Sequence, residues 1–250
     1  MKVSIVIPAR LGSSRLAGKI LKPLGGIPIL RRVLDRVSKI REAEEVLVLV
    51  DEQEVMDLVD SWGFRVLLTS KDCISGTERI ISVVDQLEGD FVLNVQSDEP
   101  FIPLDPLNEM ISIAKNSSAD ILTVIYPITS SDILFNPNRV KVVIDKDDYA
   151  LYFSRNAIPF LRDISEQERW PNRHTFWGHL GVYGYRKNIL RQYATFKEGI
   201  LEQAERLEQL RFLENGIMIR CIRGKGGSIS IDTEEDLLCA EEFLRSHSDL

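Results

Sequence analysis

The sequence predicts an α/β fold with a mostly parallel sheet, and two features of its first half carry that prediction. Short apolar runs of strand-forming residues recur up to about residue 126, and segments with helical spacing separate them. Regular alternation of this kind favours parallel strands joined by helical crossovers. Because 250 residues suffice for one large domain, we expect residues 1–250 to form a single domain.

The alternating elements begin with a strand predicted at residues 3–7, where an apolar run ends at Pro8. Further strands are predicted at residues 46–50, 64–68, 90–95 and 120–126. Helices are predicted at residues 29–37, 52–62, 76–87 and 104–115. The first of these helices follows Pro28, a residue that is common at the start of a helix.

The second half of the chain departs from this alternation. A hairpin is predicted at residues 140–144 and 149–153, and a long polar and aromatic stretch follows it. We interpret residues from about 136 to 190 as a smaller lobe embedded in the domain. The α/β pattern then returns with a helix at 201–213, a strand at 217–222 and a C-terminal helix from about 232 to 245.

The composition excludes several classes of protein. A net charge of −7 argues against a polyanion-binding surface, so no nucleic-acid partner is expected. The three cysteines are widely spaced and contain no CxxC pair, which argues against a disulfide framework and a zinc site. The apolar run at the N-terminus is too short for a signal sequence or a membrane span. We therefore expect a soluble cytoplasmic protein without membrane insertion.

Residues 8–19 form a loop rich in Gly and Ser directly after the first predicted strand. Arg10, Arg15 and Lys19 place three cations in it. Free backbone N–H groups and nearby cations suit a triphosphate, and open α/β sheets bind ligands at this end of their strands. An ordinary solvated loop is the alternative for this segment taken by itself.

A small hydroxyl-bearing turn at residues 75–79 is a second candidate site. Gly76 and Thr77 would allow the flat edge of a base to approach, and Arg79 could stack on the base or donate hydrogen bonds to it. The simpler alternative is a helix N-terminus that Ser75 or Thr77 caps.

Two carboxylates could hold a metal ion. Asp98 follows the strand predicted at residues 90–95, and Asp232 ends an extended segment. Mg²⁺ usually binds one or two carboxylates together with phosphate oxygens, so the pair is a candidate magnesium site. Asp232 could instead cap the C-terminal helix, and capping would compete with metal binding for the same oxygens.

Several polar residues of the second half are weaker candidates. Arg155 follows a predicted strand, where an arginine often binds a carboxylate or a phosphate. His179 lies in an apolar strand, and Glu208 and Gln209 lie in a predicted helix. A buried structural histidine and a solvated helix face are the alternatives for these three residues.

Taken together, these motifs resemble those of the 3-deoxy-manno-octulosonate (Kdo) cytidylyltransferase family. The resemblance extends from Val3 to about Leu237 and depends on eight segments in the order of the family. The segments are IPARLGSSRLAGK, SGTER, NVQSDEP, FNPNRVKVV, ALYFSRNAIP, HLGVYGY, LEQLR and IDTEEDL. The resemblance implies a Rossmann-like fold of the nucleotide-diphospho-sugar transferase type. It also implies a homodimer formed through the lobe at about residues 136–190.

The resemblance further implies that CTP and Kdo react to give CMP-Kdo and pyrophosphate for lipopolysaccharide synthesis, with Mg²⁺ held by Asp98 and Asp232. The anomeric hydroxyl of the sugar would attack the α-phosphate in line. The implied catalytic residues are Arg10, Lys19, Asp98 and Asp232. The implied CTP-binding residues are Ala9, Arg10, Gly12, Ser13, Lys19, Gly76, Thr77 and Arg79. The implied sugar-binding residues are Gln96, Arg155, His179, Tyr183, Glu208 and Gln209.

The chain departs from the family pattern at three positions of these motifs. Glu234 stands where the family commonly has Pro, and a helix N-terminus accepts either residue. Ala17 stands where the family commonly has Pro, and its loop is expected to be looser as a result. Ser97 stands where the family commonly has Gly, and it would be strained if its φ were positive. A related sugar acid of the 8-amino-Kdo or sialic acid type is an alternative substrate. Alternative functions are a non-catalytic nucleotide-sugar sensor and an enzyme that transfers the sugar of a finished nucleotide sugar.

Overall fold

A computed structural model describes residues 1–12, 15–73 and 75–247. The strands in chain order are β1 (Val3–Ala9), β2 (Pro23–Leu24), β3 (Ile27–Pro28), β4 (Glu45–Val50), β5 (Arg65–Leu68), β6 (Phe91–Asn94), β7 (Ile121–Ile128), β8 (Lys141–Ile144), β9 (Ala150–Ser154), β10 (Phe176–Arg186) and β11 (Ile219–Arg223). The helices in chain order are α1 (Ile29–Val37), α2 (Gln53–Ser61), α3 (Gly76–Ile81), α4 (Leu104–Asn116), α5 (Ser131–Phe135), α6 (Lys187–Tyr193), α7 (Ile200–Glu205), α8 (Gln209–Glu214) and α9 (Glu234–Ser246).

The chain divides into two compact units, residues 1–104 with the residues from 228 onward, and residues 105–227. The smaller lobe predicted at about residues 136–190 lies inside the second unit, and its separate role stays a prediction. Among the described residues, no helix has both the length and the apolar character that crossing a membrane requires.

The first unit contains β6, β1, β4 and β5, which pair in that order and all in parallel. Strand β1 is buried along its whole length. Helix α1 has the predicted bounds and buries one apolar face, and each fully buried aliphatic side chain contributes about 1.5–3 kcal/mol. The buried residues of this face are Ile29, Leu30, Val33, Leu34 and Val37. The predicted α/β alternation is therefore confirmed in this unit.

Strand β1 continues two residues past the predicted end, and Pro8 lies inside it, opposite Leu49 of β4. The hydrogen-bond pattern explains why a proline fits there. The Val6 carbonyl accepts from the Val95 N–H, so alternate residues of β1 bond toward β6. Pro8 is two residues further on that side, where β6 has already ended at Asn94. Its missing N–H therefore leaves no ladder bond unmade.

The second unit has mixed strand pairing. Strand β7 pairs in parallel with β11 and antiparallel with β10. Strand β8 pairs antiparallel with β10 and with β9, and the β8–β9 pair is the predicted hairpin. The helices α5 and α6 of this unit were not predicted, because each is too short for its periodicity to be read from the sequence.

The single helix predicted at residues 201–213 is wrong. The structure contains two short helices, α7 and α8, and Arg206 between them has a left-handed backbone with φ of 54°. A left-handed residue ends an α-helix, and nothing in the apolar spacing signals it. The helix predicted at 76–87 is also shorter, because α3 ends at Ile81 and a 3-10 turn follows at Val84–Gln86.

The acidic start suggested Asp232 as the N-cap of the last helix, but helix α9 begins at Glu234. Thr233 is the N-cap, and its hydroxyl accepts from the Asp236 N–H while the Asp236 carboxylate accepts from the Thr233 N–H. This reciprocal capping box satisfies the helix end without Asp232. The segment before the helix is anchored by Ile231, which packs in a core cluster of the first unit. The cluster contains Leu16, Leu24, Ile29, Phe101, Ile231 and Ala240.

Candidate functional site

The first candidate site lies in the first unit, where the loops after β1, β4 and β6 leave the same edge of a parallel sheet. The loop after β1 contains Arg10 and Lys19, Asp51 directly follows β4, and the loop after β6 contains Gln96 and Asp98. Parallel strands place such loops side by side, which is where α/β sheets bind ligands.

Lys19 joins the two carboxylates that the sequence singled out. Its Nζ lies 2.5 Å from Asp98 Oδ2 and 2.8 Å from Asp232 Oδ1. The Ile231 N–H also donates to the Asp98 carbonyl at 3.0 Å, so the two backbone segments are held together. Arg15 Nη2 lies 3.0 Å from the other oxygen of Asp232. Asp98 and Asp232, which are 134 positions apart in numbering, thus converge on one cation.

The electrostatics of this cluster favour its charged forms. Burial alone would lower the pKa of Lys19, but the charge of Asp98 and the hydrogen bonds that Lys19 donates to both carboxylates outweigh burial and raise that pKa. Burial alone would raise the pKa of Asp232, but Lys19 and then Arg15 lower it. At neutral pH Lys19 is therefore charged and Asp232 is ionised.

The two carboxylates fit a divalent cation. They already surround one positive charge, the Lys19 ammonium, at hydrogen-bond distance. The described residues contain no group of three or more metal-binding side chains, so the protein would supply two carboxylate ligands to the metal. That number suits Mg²⁺, which completes its shell with water and substrate phosphates. Because Thr233 caps α9, the oxygens of Asp232 are not engaged in capping.

The loop after β1 exposes groups that suit a phosphate chain. Ala9 is the buried last residue of β1, and the exposed Arg10 follows it. Gly12 is exposed, and apart from its chain neighbours no atom of the described residues lies within 4 Å of the place where its Cβ would be. The backbone here is therefore open to a ligand. Ser13, which the sequence also assigned to this loop, lies outside the described residues.

Asp51 links the loop after β1 to the turn at residues 75–79. Its Oδ1 accepts from the Leu11 N–H at 3.2 Å, and its Oδ2 lies 3.2 Å from Arg79 Nη2. Arg79 is only 2 % exposed, and its guanidinium also donates to the Thr69 hydroxyl. No role was predicted for Asp51, although an acidic residue directly after a buried strand is a visible signal in the sequence.

The turn at residues 75–79 packs beside the ends of β1 and β6. Ser75 caps α3 by accepting from the Glu78 N–H, as the simpler alternative predicted. A Cβ on Gly76 would meet Pro8 at 3.4 Å and Gln96 Oε1 at 3.9 Å, so the glycine leaves a space beside these two residues that a side chain would fill. Thr77 is buried. Capping and a base-binding role are compatible here, because they use different atoms.

Ser97 carries none of the strain considered for it. Among the described residues, positive φ angles at residues other than glycine occur at Asp148 and Arg206, and Ser97 has a negative φ. Ala17 is exposed and precedes Gly18, whose φ of 61° is left-handed. A glycine rather than residue 17 therefore makes the turn that leads into Lys19.

The second candidate site lies in the second unit, around Arg155 at the end of β9. Its guanidinium donates to three backbone carbonyls, Glu205 O at 2.7 Å, Pro137 O at 3.1 Å and Arg206 O at 3.2 Å. Its backbone N–H donates to the Glu205 carboxylate at 2.9 Å. These contacts fix the orientation of the guanidinium. Arg206 also leads directly to Glu208 and Gln209, of which Gln209 is buried.

His179 lies on β10 with its Nε2 2.9 Å from the Thr123 hydroxyl. That hydroxyl has one proton, and it donates this proton to Val182 O at 2.7 Å. The Nε2 atom of His179 must therefore be protonated and donate to the Thr123 hydroxyl, which leaves Nδ1 as an acceptor. Burial lowers the pKa of His179 to about 3, so the ring is neutral at physiological pH.

Tyr183 packs against His179 with a ring centroid distance of 5.2 Å. Its hydroxyl is buried and has no hydrogen-bond partner among the described residues. Burial raises the pKa of Tyr183 well above its usual value, so the phenol remains a donor. A donor phenol beside an acceptor imidazole suits a ligand with several hydroxyl groups.

Comparison with known proteins first defines the class of this chain. The model of the cytidylyltransferase family matches residues 4–221. A solved structure described as CMP:2-keto-3-deoxy-manno-octonic acid synthetase complexed with CTP superposes with a TM-score of 0.91, at 32 % identity over 99 % of this chain and 100 % of that one. A putative glucose-1-phosphate thymidylyltransferase from Bacillus anthracis shares the fold alone, with a TM-score of 0.69 at 14 % identity.

Curated relatives define the family more narrowly. The 3-deoxy-manno-octulosonate cytidylyltransferase of Chloroherpeton thalassium is 42 % identical over 98 % of both chains. The enzyme of the same name from Porphyromonas gingivalis is 39 % identical over 98 % of this chain and 97 % of its own. The chain belongs to the 3-deoxy-manno-octulosonate cytidylyltransferase family. The predicted family and the mostly parallel α/β fold are confirmed.

Proposed function

We propose that this chain transfers the cytidylyl group of CTP to Kdo, giving CMP-Kdo and pyrophosphate for lipopolysaccharide synthesis. The convergence of Asp98 and Asp232 on Lys19, in a member of this family, is the observation that carries the proposal. The anomeric oxygen of the sugar bonds to the α-phosphorus, and the bond from the α-phosphorus to the bridging oxygen of pyrophosphate breaks. The hydroxyl proton passes to water. Positioning and charge neutralisation dominate such reactions.

Arg10 and Lys19 would neutralise the triphosphate, with the open backbone around Gly12 assisting. Lys19 reaches the phosphates by giving up its contact with the carboxylates, which are the partners it has in this structure. Asp98 and Asp232 would then hold Mg²⁺, which supplies further neutralisation of the triphosphate charge. Lys19 would thus exchange one set of anionic partners for another.

The cytidine would lie against the turn at residues 75–79. Gly76 leaves room beside Pro8 and Gln96, and the buried Thr77 follows it in α3. Arg79 would act here mainly through Asp51, because that carboxylate, Thr69 and Ser70 already engage its guanidinium.

Kdo is a hydroxylated sugar acid, and the second candidate site offers groups of matching chemistry. The fixed guanidinium of Arg155 would bind the carboxylate. His179 Nδ1 would accept from a sugar hydroxyl, and the Tyr183 phenol would donate to one. Glu208 and Gln209 of the same unit are further proposed sugar-binding residues, and Gln96 is the sugar-binding residue proposed in the first unit.

We also propose that the protein works in the cytoplasm as a homodimer formed through the lobe at about residues 136–190. Among the described residues, β9 pairs along its length with β8 alone, and Leu151 on β9 is 62 % exposed. An exposed apolar edge strand invites pairing with a second copy. Light scattering should give twice the 28.5 kDa chain mass. Leu151→Lys should shift the protein toward the monomer, and a monomeric wild type would contradict the proposal.

Pyrophosphate release tests the proposed reaction. With Mg²⁺ and CTP, we expect the purified protein to release pyrophosphate when Kdo is added, and little or none without sugar. CTP should be preferred over ATP, UTP and GTP. A panel that includes 8-amino-Kdo and sialic acid separates the alternative sugar acids. Binding of CTP without pyrophosphate release from any member of the panel would refute the enzyme and favour a sensor.

A further inference from the structure

Lys141, the first residue of β8, is fully buried and belongs to neither site as described so far. Lysine is seldom fully buried without a partner, because removing its charge from water is costly. No carboxylate of the described residues forms an ion pair with it. The reason for a charged group at this position must therefore lie in the hydrogen bonds that it makes.

The ammonium of Lys141 donates to three backbone carbonyls. Its Nζ lies 3.0 Å from Asn136 O and 2.6 Å from Arg139 O, and it also donates to Arg155 O. An ammonium has three protons, so each of them has an acceptor. These contacts tie the loop between α5 and β8 to the end of β9.

The backbone that Lys141 holds is the same backbone that orients the Arg155 guanidinium. The carbonyl of Arg155 is one acceptor of Lys141, which fixes the main chain beneath the arginine. The loop at residues 136–139 supplies two more acceptors, and Pro137 in this loop accepts from Arg155 Nη1. Lys141 thus positions Arg155 in two ways. It binds the carbonyl of Arg155, and it holds the loop whose Pro137 carbonyl accepts from the Arg155 side chain.

We propose that Lys141 is a positioning residue for Arg155, and that the two cations together make this site selective for the carboxylate of a sugar acid. The inference rests on the proposed function, because it assumes that Arg155 binds that carboxylate. The role requires the charged form of Lys141, since a neutral amine has two protons for three carbonyls and adds no positive charge.

The charge state of Lys141 makes the proposal testable by pH. Burial lowers the pKa of Lys141 to about 8, the charge of Glu205 on α7 opposes this shift, and the charge of Arg155 adds to it. The β10 residue opposite Lys141 is Gly178, which carries no charge. As the pH rises through about 8, Lys141 loses its proton and the affinity for the sugar acid should fall.

Unfolding would not explain that loss of affinity. An unfolded lysine keeps its proton up to about pH 10.5. Between pH 8 and 10.5 the unfolded state therefore binds more protons at this residue than the folded state, so the stability contributed by this group rises with pH.

The test is the dissociation constant of Kdo, measured by calorimetry with a non-hydrolysable CTP analogue present. Lys141→Met should raise it about tenfold at pH 7, as loss of an outer partner of a binding group commonly does, and should leave CTP affinity unchanged. Wild-type affinity for Kdo should fall between pH 7 and 9.5, and that of Lys141→Met should not. Lys146→Met is the matched control, because the Lys146 side chain is 88 % exposed on the same hairpin.

The outcomes separate this proposal from the proposed function. A wild type that binds CTP but no ulosonic acid refutes the proposed function. A wild type that binds Kdo equally from pH 7 to 9.5, or a Lys141→Met variant that binds Kdo as well as wild type, overturns the role of Lys141. If Lys141→Met does not fold, the wild-type pH series still decides the question.

Discussion

Replacing Lys19 by Met is expected to lower turnover at saturating CTP and Kdo by about 10²-fold or more, because loss of a charge-stabilising donor at a phosphate typically costs that much. Lys19 carries the positive charge nearest to both candidate metal carboxylates. Met preserves most of the length of the side chain and removes the charge. Pyrophosphate release under single-turnover conditions would separate this loss from slow product release.

A second readout distinguishes a charge effect from a folding defect. Without the ammonium, Asp98 and Asp232 repel each other across a partly buried site, so Lys19→Met should unfold at a lower temperature than wild type. Mg²⁺ should raise the unfolding temperature of Lys19→Met more than that of wild type, because no protein cation competes for the carboxylates. Lys22→Met is the matched control, since Lys22 forms an exposed ion pair with Glu234 and should behave as wild type. Near-normal turnover of Lys19→Met would show that Lys19 does not neutralise the triphosphate.

Asp98→Asn is expected to lower turnover by about 10³-fold while the protein stays folded. The amide keeps the shape of the carboxylate, and Asp232 remains to pair with Lys19 and Arg15. The backbone bond from Ile231 to the Asp98 carbonyl does not involve the side chain and should persist. The loss should therefore come from weaker Mg²⁺ binding and weaker charge neutralisation.

The measurement is turnover as a function of Mg²⁺ concentration. Asp98→Asn should need more Mg²⁺ for half-maximal activity as well as turning over more slowly. Asp60→Asn removes an exposed carboxylate of α2 in the same unit and should leave both quantities unchanged. An Asp98→Asn variant with the Mg²⁺ dependence of wild type would show that Asp98 does not hold the metal.

Local sequence signals identified most elements of the first unit and the segments that form its site. Helix α1 of the first unit has the predicted bounds. In the second unit, the β8–β9 hairpin lies where the turn residues predicted it. These elements are long or strongly patterned, so their periodicity is visible without a partner. The break at Arg206 was not visible, because a left-handed residue outside glycine has no strong local signature.

Local sequence signals could not decide between the two alternatives for Asp232. The stretch around it reads equally well as a helix cap or as a metal ligand, since both use carboxylate oxygens. The structure assigns the cap to Thr233 and turns Asp232 toward Lys19 and Arg15. Likewise, Arg79 was expected to face a base, and its strongest partners are Asp51 and Thr69.

By itself, then, the sequence determined the α/β alternation and the family, and it predicted a phosphate-binding role for residues 8–19, because these depend on residues that are neighbours in the chain. The tertiary structure alone decided which distant groups share a charge or a proton: Asp98 with Asp232 around Lys19, and Lys141 with the backbone beneath Arg155. Such pairings depend on strand register and on the burial that removes water, and neither is encoded in local spacing.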